Sequence, residues 1–306
     1  MRYFLTSKIL KWEVGTEVDY KQCHQLYGGS FATHPEVLNF LHSRFDCQPQ
    51  YYVRRDNNGK LLGSYCTWRR NHLAGDTKVT KMLDMEYYPF NKDELILPIQ
   101  DQLSVIIPIK SKILSRINAN AILNSCFKMN SQRGICIAKG CGKNGFSSST
   151  KNSRNRELKR FIKAGGEIKD QSELSPEELV SLYFELFFKR WNKHHTNYDQ
   201  LVDMLKNLRS FFFGHVLFID GKPCAFQLIM KAESPEWINF DYINGGYDTT
   251  HKSFCPGTIV TWLNIQSAYS LCESLGKKMR YSFGRPTAAY KNRWCVTEPV
   301  GRILSL

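Results

Sequence analysis

Apolar positions alternate between helical and strand spacing in an order that occurs twice. Thr33-His34-Pro35-Glu36 reads as a capping box with proline in the first turn, and Val37, Leu38, Leu41 and Phe45 then fall on one helical face. A hairpin follows, with strands over 51–54 and 61–68 and the turn Asn58-Gly59 between them. The order returns later. Asn197, with Gln200 three residues on, opens a helix that buries Leu201, Met204, Leu205 and Leu208; strands over 214–219 and 225–230 flank the turn Asp220-Gly221. The two caps and the two turn glycines recur at nearly the same separation. Downstream, 94–99 corresponds to 237–243 and 134–139 to 279–284, with 71–92 inserted in the first copy. Helix, hairpin, strand, helix, strand written twice predicts an α+β class, an α/β sandwich with mixed, largely antiparallel sheets and flanking helices.

Between the copies lies a polar run over 146–153, then a basic helix over 154–164 that stops at Gly165-Gly166. Ser175-Pro176-Glu177-Glu178 caps the next helix, which turns Leu179, Val180, Tyr183, Leu186 and Phe187 inward to about residue 191. The boundary is expected within 145–170, giving domains 1–150 and 151–306.

Composition narrows the class. The 306 residues are 42% hydrophobic and 13% aromatic, which suits a globular chain. No run nears the ~18 apolar residues of a membrane span, and residues 1–8 lack the apolar core of a signal peptide. The ten cysteines are scattered without zinc spacing, as reduced thiols in the cytosol would be. A net charge of +14 favours acidic partners: nucleic acid, anionic lipid or a phosphorylated cofactor. Lys151, Arg154, Arg156, Lys159, Arg160 and Lys163 concentrate it, on either a solvated helix face or one that meets phosphate or membrane.

Candidate chemistry gathers near the C-terminus. A strand over 237–243, then a helix of about 18 residues opening at Gly257, then Tyr281-Ser282-Phe283-Gly284-Arg285 and Tyr290-Lys291-Asn292-Arg293-Trp294 form a strand–loop–helix–strand unit suited to a phosphorylated ligand. Asp241 sits among Trp237, Phe240 and Tyr242, where an apolar setting would raise its pKa towards that of a base; alternatively its carboxylate is satisfied by backbone amides at a strand end. Lys291 and Arg293 suit an oxyanion or a phosphate, or are surface charges. Tyr290 suits proton donation to a leaving group, or is a packed aromatic. Residues 139–145 fail the spacing of a phosphate loop and read as a turn. His194-His195 point apart on a helix and make a poor metal pair, and Cys295 lacks a base partner. No metal is expected.

Taken together, the tandem order, Asp241-x-Ile243-x-Gly245-Gly246-Tyr247-Asp248, Ser253-x-x-Pro256-Gly257, and Phe283-Gly284 through Tyr290-Lys291-x-Arg293-Trp294 resemble the GNAT-related acyltransferases, and within them the Fem-type branch with two such folds. With Gly28-Gly29-Ser30-Phe31-Ala32-Thr33-His34-Pro35 near the start and Arg293-Trp294-Cys295 near the end, the chain is most similar to the macrophage-inducible (Mig-type) family of antimicrobial-peptide-resistance proteins. The resemblance implies tandem GNAT-like folds and an acyl or aminoacyl transfer to an envelope lipid or glycan, from acyl-CoA such as acetyl-CoA or from aminoacyl-tRNA. It implies a cytoplasmic protein resting on the anionic inner-membrane surface. Asp241, Tyr290 and Lys291 would be catalytic; Ser253, Gly257, Thr258, Gly284 and Arg293 would hold the donor, in a cleft expected between the halves. One departure stands out: Ser253-Phe254-Cys255-Pro256-Gly257-Thr258 replaces the usual glycine-rich pyrophosphate loop, and Pro256 removes an amide donor. The alternative is a non-catalytic GNAT-fold protein, either a membrane-associated resistance factor or a nucleic-acid-binding regulator. No helix-turn-helix spacing supports the regulator.

Overall fold

The structure is a computed structural model that describes residues 10–130 and 133–304. The opening segment 1–8 lies outside the described residues.

The first sheet is antiparallel, in the order β1 (Glu13–Gly15), β2 (Gln50–Arg55), β3 (Leu61–Trp68), β4 (His72–Leu73). Helix α1 (Glu17–Tyr27), closed by a reciprocal Thr16–Asp19 capping box, and α2 (Pro35–His42) come between β1 and β2. The expected cap of α2 moves by one residue. The residue before a proline is driven out of the helical region, so His34 (ψ 134°) is the N-cap and its Nδ1 accepts the Glu36 amide at 3.3 Å. Thr33 instead ends a 3₁₀ turn and gives its hydroxyl to the Ile96 carbonyl at 2.7 Å. Phe45 lies beyond the end of α2 but still packs on the core.

After the short α3 (Thr77–Met82), the strand expected over 94–99 is reduced to single bridges, Leu95 with Leu114 and Ile99 with Gly63. Pro98 lacks an amide there, so a continuous ladder cannot form. β5 (Ser111–Leu114), β6 (Ser125–Cys126) and β7 (Gly134–Ala138) complete the first half. α4 (Ser148–Lys163) begins inside the run read as polar linker, because the Ser147 hydroxyl caps it by accepting the Thr150 amide at 3.2 Å. β8 (Gly166–Asp170) leads to α5 (Pro176–Trp191), whose Ser175–Glu178 box forms as expected. α6 (Tyr198–Asn207) follows; here Asn197 does not cap, and donates its side-chain amide to the Tyr87 carbonyl at 2.7 Å. The rest of the chain is β9 (Phe212–Phe213), β10 (His215–Ile219), β11 (Lys222–Glu233), β12 (Trp237–Tyr247), α7 (Pro256–Ser274), β13 (Lys278–Ser282), α8 (Lys291–Trp294), β14 (Cys295–Pro299) and β15 (Gly301–Ile303). Asp220 and Gly221 both take positive φ, 50° and 70°, and turn β10 tightly into β11.

The large sheet runs β14-β7-β13-β12-β11-β10-β8, with β9 added on β11. Two strands cross residue 150: β7 lies between β13 and β14, and β15 lies between β5 and β6.

Two features of β12 shape the candidate site. It pairs in parallel with β13 only from Trp237–Lys278 to Asp241–Ser282. Next, a bulge leaves Ile243 unpaired between the Tyr242–Ile229 and Asn244–Leu228 partners on β11. The strands part beyond Asp241 and open a wedge. Gly246 then lets β12 pass close to α5, since a Cβ there would meet the Leu186 carbonyl carbon at 2.3 Å and the Phe187 amide nitrogen at 2.5 Å. Both are backbone atoms with nowhere to go. Gly246→Ala is expected to cost about 3 kcal/mol, seen as a lower urea midpoint at unchanged slope.

Candidate functional site

The wedge is a cleft of about 720 Å³. Its floor is β12 beyond the bulge, with Tyr242, Gly245, Gly246 and Tyr247, and β11 adds Phe226 and Gln227. One wall is the first turn of α7, Pro256, Gly257 and Thr258; Thr150 and Arg154 from the start of α4 stand near it. Arg190 from the end of α5 and Tyr290, Arg293 and Trp294 complete the rim.

The charge there has one sign. Arg154, Arg190, Lys252 and Arg293 line the cleft and, among the described residues, no carboxylate does. Arg154 is partly balanced by Glu157 at 2.8 Å. Arg190 is held in place: it donates to the Gly245 carbonyl at 2.9 Å and lies over the rings of Trp191 and Tyr247, 4.4 and 5.1 Å from their centroids. A guanidinium fixed this way loses little entropy when it meets an anion. Tyr290 neighbours Arg190 and Tyr242. Burial, helped by the Tyr242 hydroxyl and opposed by Arg190, holds its phenol above the ordinary value, so it stays protonated at neutral pH.

The first turn of α7 offers few donors. Pro256 has no amide hydrogen, and the Thr258 and Ile259 amides close onto the Cys255 carbonyl at 2.9 and 3.1 Å, so that among the described residues the Gly257 amide has no acceptor. A buried relay fixes this turn to the sheet: Asn264 donates to Gln227 at 2.9 Å, Gln227 to Thr261 at 2.8 Å, and Thr261 to the Gly257 carbonyl at 2.7 Å.

Of the residues predicted from sequence, Gly257, Thr258, Tyr290 and Arg293 line the cleft; Asp241, Ser253, Gly284 and Lys291 do not. Ser253 is exposed and its carbonyl accepts from Arg160 at 2.9 Å. Gly284 has φ 68°, and its carbonyl accepts the Cys136 amide at 2.8 Å. Lys291 is buried, with Nζ donating to the Phe283 and Arg285 carbonyls at 2.6 Å each; its ammonium straps the segment that carries Tyr290 and Arg293. Burial lowers its pKa.

Asp241 is fully buried and accepts from Asn91 at 2.7 Å and Asn239 at 2.9 Å. Loss of hydration raises its carboxyl to about 7, against the pull of Asn91. Its partners are side-chain amides, not the backbone amides of the alternative reading. The cleft lies within the second half, since among the described residues none that lines it precedes Thr150, and not between the halves as expected.

The remaining signals have local explanations. Residues 139–145 form a turn in which Lys151 donates to the Gly142 carbonyl at 3.3 Å. The His195 ring bonds the Tyr183 hydroxyl at 2.8 Å, and His194 stacks on Phe188. Burial pushes the Cys295 thiol up to about 12, too high for a nucleophile. Among the described residues no group of three or more His, Cys, Asp or Glu could hold a metal ion, and no helix is long and apolar enough to cross a membrane.

The residues missed from sequence are Arg190, Tyr242 and Lys252; Arg154, read as part of a basic helix face, also reaches the cleft. Strand alternation was the available signal for one of them: neighbours on a strand face opposite sides, so Asp241 and Tyr242 could not both enter the cleft.

The Mig-14 family pattern matches residues 34–303. This chain belongs to the Mig-14 family. No curated protein matches it. Among solved structures, FemX aligns with this Mig-14 protein over 96% of the chain and 97% of its own, at TM-score 0.60 and 9% identity. A conserved protein of unknown function from Bacteroides thetaiotaomicron VPI-5482 aligns over 96% and 98%, at TM-score 0.48 and 14% identity. L-PGS from Bacillus licheniformis aligns over 96% and 93%, at 0.47 and 11%. The FemX likeness establishes the fold: this Mig-14 protein has the expected mixed α/β architecture with antiparallel-rich sheets and flanking helices.

Proposed function

We propose that the protein transfers an acyl or aminoacyl group from an anionic donor to a cell-envelope lipid or glycan, and that this modification underlies resistance to antimicrobial peptides. One observation carries the reading: the parting of β12 and β13 opens a cleft rimmed by four cations and no carboxylate, with Tyr290 inside it. Arg190 and Arg293 would hold donor phosphates, with the Gly257 amide and the Thr258 hydroxyl beside them. The acceptor's amine or hydroxyl attacks the acyl carbon and charge gathers on the carbonyl oxygen; the bond from that carbon to the donor's oxygen or sulfur then breaks as the leaving atom takes a proton from Tyr290, and the proton given up by the acceptor returns through solvent to the Tyr290 oxygen. Asp241 and Lys291, buried behind the cleft, would serve by positioning. Ser253 and Gly284 would shape the loops at either side.

Donor choice turns on α7. With Pro256 and two amides closed onto Cys255, the helix start is a thin cradle for a CoA pyrophosphate. That favours aminoacyl-tRNA, whose phosphates could spread along the exposed Arg156, Lys159 and Lys163 of α4. The same face suits an anionic membrane surface, where the acceptor would be met.

Thermal shift with acetyl-CoA and filter binding with aminoacyl-tRNA test this. A donor at a hundred times Kd stabilises by about 2.7 kcal/mol, a rise of several degrees. Arg293→Ala together with Arg190→Ala should weaken binding at least tenfold and flatten its salt dependence. A wild-type protein that binds neither donor at low salt would refute the proposal.

A further inference from the structure

The loop over 91–93, from the first half, touches both sides of the wedge in the second. Asn91 donates to Asp241 at 2.7 Å, at the last β12 position paired with β13 and directly before Tyr242. Asp93 pairs with Arg285 at 2.6 Å, on the segment that leaves β13 and runs to Tyr290. The two arms are one unit, because the Asp93 amide donates to the Asn91 side-chain oxygen at 2.9 Å. Gly284 allows this approach: a Cβ there would lie 3.3 Å from the Asp93 carboxylate.

The segment from Phe283 to Arg293 is also tied to the second half, by the buried Phe283 ring 5.2 Å from that of Tyr242 and by the Tyr290 hydroxyl beside Tyr242 and Arg190. Its carbonyls at Phe283 and Arg285 accept from Lys291, which closes it on itself. The Phe283 amide and Gly284 carbonyl join Cys136 of β7 at 2.8 Å each, another first-half contact.

We propose that the first half acts as a clamp on the second-half cleft, with Asn91 and Asp93 as positioning residues that set the separation of Tyr242 from Tyr290 and Arg293. This rests on the donor-binding reading of the cleft. An ion pair as exposed as Asp93–Arg285 (29% and 45%) adds little to overall stability, so its effect should appear in the geometry of the cleft.

The test uses the whole chain. Asp93→Asn removes the charge and keeps the shape. Acetyl-CoA and aminoacyl-tRNA, whichever the wild type binds, should bind the variant roughly tenfold more weakly at nearly unchanged melting temperature. Asp93→Arg with Arg285→Asp should restore most of that affinity, a rescue that general loosening of the fold would not give. A 3-fluorotyrosine at position 290 supplies an independent readout: its ¹⁹F resonance should shift or broaden in Asp93→Asn and return in the swapped pair. Unchanged affinity and an unchanged resonance in Asp93→Asn would overturn the clamp. If the wild type binds neither donor, the functional reading fails while the resonance still judges the clamp.

Discussion

Tyr290→Phe is expected to lower turnover by about 10²-fold or more while donor affinity stays within a factor of a few. A positioned proton donor contributes on the order of 10²–10⁴, and phenylalanine keeps the ring that packs near Tyr242. Tyr290 is suited to this because it stays protonated at neutral pH with Arg190 beside it. The leaving group then departs as a neutral alcohol or thiol and not as an anion in a partly dry cleft. Resistance to a cationic peptide should fall in parallel in cells that depend on this protein. Full turnover and resistance in Tyr290→Phe would remove Tyr290 from the chemistry, whatever the cleft binds.

The second large effect concerns stability. Asp241 titrates near 7 in the folded protein because burial penalises its charge, against about 3.9 when unfolded. Below pH ~4 both states hold the proton and nothing is lost. Between ~4 and ~7 the unfolded chain ionises first, and above that the folded state must carry the buried charge. Stability should therefore fall as pH rises across this window, by about 4 kcal/mol from this group. Asp241→Asn should remove that slope. The substitution is tolerable because Asn239 Oδ1 has no partner, so its amide can turn to accept from the new side chain. Asp248 acts in the opposite direction and in a different window: although partly desolvated, it is held at about 2 by Lys189 and Thr250, so its contribution is lost only as the solution turns strongly acid. Melting temperatures from pH 5 to 8 separate the two. A slope that persists in Asp241→Asn would place its origin elsewhere. Asp241→Ala is a poorer probe, since it strands two buried amides.

What was readable in the sequence was local. The hairpin turns at Asn58-Gly59 and Asp220-Gly221, the Ser175–Glu178 box and the Gly165 stop depend on contacts within a few residues, and each formed where expected. Errors arose where a distant partner or a neighbouring proline decided. Pro35 moved the cap to His34, Pro98 broke the ladder over 94–99, and Tyr87 took the Asn197 side chain. The site divides the same way. Gly257, Thr258, Tyr290 and Arg293 belong to short motifs and reach the cleft, with Lys252 directly before one of them, whereas Arg154 and Arg190 arrive from other parts of the chain. No local pattern records that convergence. Asp241 and Lys291 were singled out for their chemistry, but what they do is fixed by Asn91, Asn239 and two carbonyls that sequence spacing does not reveal.

The most direct test is a structure of the protein with a hydrolysis-resistant aminoacyl-tRNA acceptor-stem analogue, and in parallel with acetyl-CoA. Density for one of them between the start of α7 and Arg293, with its reactive carbonyl within hydrogen-bonding reach of Tyr290, is the predicted result. A donor seated outside this cleft, with Arg190 and Arg293 still facing solvent, would contradict it.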